Sequence, residues 1–123
     1  MKRVMVILNE EHKLFPEQED LLNSGFGPRD WDILAVPPEG WDLETIIYWV
    51  ASFRSSGCCH IVFASPVPAL MVKLAKLANA RGEEWPVLWA FHNDKRTSKE
   101  VPDGKGGTRI IKTVSPTGWK LIC

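Results

Sequence analysis

The chain has no excess charge of either sign: lysine and arginine number fifteen, aspartate and glutamate also fifteen, among 123 residues. A formally neutral protein has no overall field to draw it onto duplex DNA or an anionic membrane, so neither is expected as a partner. Any anion site must be local. Cysteine is scarce and poorly spaced. Cys58, Cys59 and Cys123 are odd in number and form no CxxC pair, which excludes a disulfide framework and points to a reducing, cytoplasmic compartment. Long apolar runs are also missing. Only Val4 to Leu8 precede Asn9, fewer than the roughly 7 to 15 apolar residues of a signal peptide, and no stretch approaches the roughly 18 of a membrane span. The expectation is a soluble, unprocessed protein. Glycine is absent from "NEEH" (9–12), where a dinucleotide-binding GxGxxG turn would need it. "DGKGG" (103–107) lacks phosphate-loop spacing and precedes a strand, so it reads as a hairpin turn.

What is present is a rhythm. "VMVIL" (4–8), "WDILAV" (31–36), "HIVFA" (60–64) and "PVLWAF" (86–91) suit strands buried on both faces. Between the second and third, Leu43, Ile46, Ile47 and Val50 fall at helical spacing, with Asp42 as N-cap, Trp41 and Ile46 as a hydrophobic staple, and Gly57 beyond the end. Between the third and fourth, Val67, Leu70, Met71, Leu74, Leu77 and Ala78 form one stripe, Lys73, Lys76 and Arg81 point away, and Gly82 closes the helix. A shorter helix is expected from Pro16 to Asn23, stopped by Gly25. Alternating strands and helices imply right-handed crossovers. The expected fold is one Rossmann-like α/β domain over residues 1–123, with a mainly parallel sheet, helices on both faces and a C-terminal β-hairpin. That hairpin is expected to join "TRIIKTV" (108–114) to "WKLIC" (119–123) through "SPTG".

In such sheets ligands bind beyond the carboxyl ends of the strands. Three segments end there: "NEEH", "SPVP" (65–68) and "HNDKR" (92–96). Ser65 is read as the N-cap of the third helix, beside Pro66, in a place that suits phosphate. "HNDKR" sets an imidazole, an amide, a carboxylate and two cations in consecutive positions, and its bland alternative is a charged turn with an internal ion pair. His12 follows two glutamates, and His92 would lie near it if the first and fourth strands were neighbours. A zinc set from His12, His92 and Asp94 or Glu10 has no supporting local spacing, and no metal or cofactor is expected. Cys58, Cys59 and His60 open the third strand at its amino end and read as packing residues. Trp31, Trp85 and Trp119 flank turns, where rings could serve a dimer or stack on a base.

"NEEHKLFPEQEDLL" (9–22), with its H-x-L-x-x-x-Q at His12, Leu14 and Gln18, the "SP" at 65–66, and "FHNDKRTSKEVPDGKGG" (91–107) before "GWKLI" (118–122) resemble the small CRISPR-associated proteins of CARF-type, Rossmann-like architecture found in type III systems. The resemblance spans most of the chain. It implies a homodimer that binds a cyclic oligoadenylate second messenger in antiviral defence, and for some members a metal-independent ring nuclease. Carried onto this chain, it implies proton transfer by His12 or His92 and charge stabilisation by Lys95 or Arg96. Asn9, Glu10, Ser65, Pro66, Asn93 and Asp94 would hold phosphate, ribose or base. Two rival readings keep the fold and change the role: a non-catalytic cyclic-nucleotide receptor, and an interaction protein of a larger assembly.

Overall fold

A computed structural model describes residues 1–81 and 86–123, with the side chains of 79–81 set aside. The order is β1 (Val4–Asn9), α1 (Pro16–Phe26), β2 (Trp31–Val36), α2 (Leu43–Ser55), β3 (His60–Phe63), α3 (Pro68–Arg81), β4 (Val87–His92), β5 (Arg96–Pro102), β6 (Thr108–Val114) and β7 (Lys120–Ile122). Five strands form one sheet in the order β2-β1-β3-β4-β7, and β5 and β6 form a separate two-stranded ribbon. The first four strands of the sheet are parallel, and β7 closes the β4 edge antiparallel. The mixed, mainly parallel α/β architecture is the one expected. No helix among the described residues is long and apolar enough to cross a membrane.

The alternation of β1 sorts the core. Val4, Val6 and Leu8 face α1, where they pack with Leu14, Leu22 and Val62; Met5 and Ile7 face α2 and α3, where they meet Ile46, Phe53, Ile61, Leu70 and Leu74. A strand buried on both faces needs apolar residues at consecutive positions, and Val4 to Leu8 supplies them.

The helix boundaries follow their caps. The Asp42 carboxylate accepts the Thr45 N–H at 2.8 Å, which also holds its carboxyl below the ordinary carboxylate range. Trp41 packs against the cluster that holds Ile46, and Gly57 follows the helix at φ +77°. For α1 the expected stop is displaced: Gly25 lies inside the helix, which runs on to Phe26 and ends at Gly27, φ +103°. A Cβ at Gly27 would stand 3.0 Å from the Asp30 carboxylate, so this glycine, and not Gly25, answers a backbone need. The α2 stripe is also corrected. Ile46 and Phe53 are buried, but Leu43 and Ile47 are more than half exposed. The expected closing Gly82, Trp85 and the direction of Arg81 lie outside the described residues.

The hairpin exists with different partners. β6 pairs with β5 in antiparallel register from Arg96↔Val114 to Pro102↔Thr108, around a turn in which Asp103 Oδ1 accepts the Lys105 and Gly107 N–H groups. The 119–123 segment instead supplies β7, because Trp119 and Leu121 have apolar partners on the α1 side of the sheet. Trp119 stacks on Phe15 with centroids 5.9 Å apart, and Trp31 donates to Asn23 at 2.8 Å. Both rings are half-buried and not free at a turn.

At the amino edge, Cys58 is fully buried while Cys59 is exposed, which corrects the expectation that both pack inside. His60 Nδ1 accepts the Trp89 indole N–H at 3.1 Å. Burial first, and the nearby Arg3 charge second, lower the His60 pKa from its ordinary 6.5. The neutral form is therefore favoured on folding. Its contribution to stability is complete above pH 6.5 and is lost as pH falls below it, because the unfolded chain takes up the proton first. Thermal unfolding at pH 7.5 and 5.5 should show a larger acid loss for the wild type than for His60→Gln; equal losses would remove His60 from the account. Burial also raises the Cys58 thiol to about 11. Titration of the folded protein with a disulfide reagent should label Cys59 and Cys123 and reach Cys58 only in denaturant.

Candidate functional site

The crossovers leave β1 in opposite directions, to β2 on one side and, after α2, to β3 on the other. The carboxyl ends of β1 and β3 therefore flank a topological switch point, where parallel α/β sheets open a crevice. Asn9 and Ser65 meet there: the Asn9 backbone N–H donates to Ser65 Oγ at 2.9 Å. The Asn9 side-chain carbonyl accepts the Glu11 N–H at 2.9 Å, and the Asn9 carbonyl accepts the His12 N–H at 2.9 Å. These bonds curl "NEEH" back over the end of β1. Asn9 Nδ2 and the Ser65 hydroxyl hydrogen have no acceptor among the described residues, which leaves donors for a ligand.

Ser65 does not cap α3. The helix starts at Pro68, with the first carbonyl bond from Met71 N–H to Val67, and Ser65 stands ahead of it, buried against β1. Proline at 68 removes the amide three residues on that a capping serine commonly binds.

Asn9 separates two clefts of about 330 Å³ each. One is walled by Ser65 and Pro66 opposite the "PPEGW" loop with Glu39 and Trp41. The other holds Glu10, His12 and Lys13, with Glu19 from α1. The sequence reading missed the "PPEG" wall, although two prolines and a glycine between β2 and α2 signal a rigid loop at this same edge.

The "HNDKR" group sits apart and lines neither cleft. β3 lies between β1 and β4, so the condition for His12 and His92 to be neighbours fails. No three histidine, cysteine or acidic side chains among the described residues come together as a metal set, and the zinc combination is not assembled. Within the group, roles divide sharply. His92 Nε2 and Asp94 Oδ1 are 2.5 Å apart on the surface. Asn93 is buried and occupied: its Nδ2 donates to the carbonyls of Ser115 at 3.2 Å and Thr117 at 2.9 Å, and its Oδ1 accepts the Lys95 N–H at 2.9 Å. Lys95 Nζ reaches Thr117 Oγ1 at 3.2 Å, and Arg96 Nη1 donates to the Asn93 carbonyl at 2.6 Å. Gly118 lets this clamp close. Its φ is +89°, and a Cβ there would lie 3.0 Å from Asn93 Oδ1.

The five consecutive polar residues thus have two jobs: Asn93 fastens the ribbon root, and His92, Asp94, Lys95 and Arg96 are presented around it. No protein-family model, curated protein or solved structure matches the chain significantly.

Asn93→Ala should cost about 1–3 kcal/mol, the usual penalty for stranding buried hydrogen-bonding groups. Asp94→Ala, at an exposed position, should stay within about 0.5 kcal/mol. Urea denaturation of both variants checks the division.

Proposed function

We propose that this protein binds a cyclic oligoadenylate at the carboxyl edge of its sheet, in a cleft shared by two copies, and cleaves it without a metal. The observation that carries the reading is the pair of uncommitted donors, Asn9 Nδ2 and Ser65 Oγ–H, at the switch point, with two cations and a paired histidine at the end of β4 on the same edge. The resemblance of "NEEHKLFPEQEDLL" and "HNDKRTSKEVPDGKGG" to CARF-type proteins supplies the ligand class. A cyclic nucleotide repeats phosphate and base by symmetry, so a neutral protein holds it with local groups duplicated by a two-fold axis.

The reaction is internal to the ligand. A ribose 2′-oxygen attacks the adjacent phosphorus, the bond to the 5′-oxygen breaks, and a 2′,3′-cyclic phosphate and a free 5′-hydroxyl remain. His92 takes the 2′-hydroxyl proton, oriented by the Asp94 carboxylate, and an acid returns a proton to the 5′-oxygen. His12 lines a cleft at the end of β1; because it is not a neighbour of His92 within one copy, it takes that second role only across the two-fold axis. Lys95 and Arg96 meet the charge that builds on the phosphoryl oxygens.

A receptor that binds without cleaving is favoured by one observation: Glu39 and Glu10 line the two clefts, and carboxylates beside phosphate oppose charge build-up unless they face ribose hydroxyls.

The test incubates purified protein in excess chelator with cyclic tri-, tetra- and hexa-adenylate and follows complexes and linear products. His92→Ala should slow cleavage about 100-fold or more and leave affinity within a few-fold. Lys95→Ala and Arg96→Ala should each weaken binding about tenfold, or ~1.4 kcal/mol. Complex without product makes the protein a receptor; neither complex nor product overturns the reading.

A further inference from the structure

A second surface lies along the outer flank of α2, where it meets α3. The sequence LETIIYWVASFRS carries apolar residues over more than half of its circumference, more than a single face against the sheet uses. Only one side is covered here. Ile46 and Phe53 face the sheet, while Leu43, Ile47 and Tyr48 are 57%, 52% and 62% exposed, and Val72 on α3 is 53% exposed. Between the two helices runs an open cleft of about 510 Å³. Ile47, Val50, Ala51 and Leu77 make its floor, and Arg54, Lys73 and Lys76 stand along it, with no acidic residue in its lining among the described residues. None of the three cations forms an ion pair among the described residues.

We propose that the α2–α3 cleft is a docking groove for an acidic, amphipathic helix of a partner protein. Charge complementarity selects the occupant. Three cations converging from two elements of a neutral protein require a negative partner. A second copy meeting this face by two-fold symmetry would set the same three cations against one another. The shape selects a helix over a compact ligand. The apolar strip of α2 runs from Leu43 through Ile47 to Val50 and Ala51, with Arg54 at its end, and these twelve helical residues cover roughly 18 Å, about three turns of a partner helix laid in the groove with its apolar face down. The cleft between the helices shares no lining residue with the carboxyl-edge clefts, so docking there does not depend on the function proposed above.

The probe is a labelled synthetic helical peptide with leucine and glutamate at amphipathic spacing, compared by fluorescence anisotropy with the same peptide carrying lysine for glutamate. The acidic peptide should bind at least tenfold more tightly than the basic one. The double variant Lys73→Glu, Lys76→Glu should reverse that preference, and Ile47→Asp should abolish binding of both, with circular dichroism confirming that each variant folds. Three results would each overturn the proposal: no acidic-peptide binding at millimolar concentration, a preference unchanged in the double variant, or a wild-type dimer that Ile47→Asp turns into a monomer, which would give the face to a second copy.

Discussion

The burial of β1 on both faces is the constraint from which the rest follows. Five consecutive apolar residues, Val4 to Leu8, leave the strand no solvent side, so one layer of helix is needed above it and another below. α1 fills one role, and α2 and α3 the other. Once helices lie on both faces, the chain must turn opposite ways from β1, and the gap between the β1 and β3 termini becomes the place where backbone and side-chain donors are left without partners. The candidate site is in this sense a by-product of how the central strand is covered. Asn9 and Ser65 stand in it because they are the first polar residues after two of the most buried strands.

The second organising contact is Asn93. A buried amide that makes three bonds ties the end of β4 to the Ser115–Thr117 turn, and this fixes both where the ribbon leaves the body and where β7 returns to it. The residues on either side of it are free to carry charge because the amide between them holds the backbone. Function and stability are interleaved one residue apart, so substitutions in this segment cannot be pooled as if they reported on a single property.

The sequence made the four parallel strands, their helices and the Asp42 cap legible because each depends on local periodicity or on a side chain bonding its own neighbourhood. What it hid depends on comparisons between distant segments. Gly25 and Gly27 look alike as stop signals, and only the approach of Asp30 distinguishes them. β6 had two possible partners, and the choice rested on whether Trp119 and Leu121 could find an apolar surface, which is a property of α1 and β4. In α2 the apolar residues were too many for their spacing to say which side faces the sheet. For the candidate site, the edge itself and its three segments could be read from strand ends. The separation of His12 from His92 could not, since it is decided by strand order.

The β5–β6 ribbon has twelve of its fourteen residues exposed, and among the described residues the side-chain bonds that fasten it to the body lie at its root. Its length is therefore not set by the core. Adding or removing a residue pair between the clamp at Asn93 and the turn at Asp103 would leave the sheet, the clefts and β7 as they are, changing only how far the arm extends. Reach is thus a dimension that selection can adjust in this protein without renegotiating its fold.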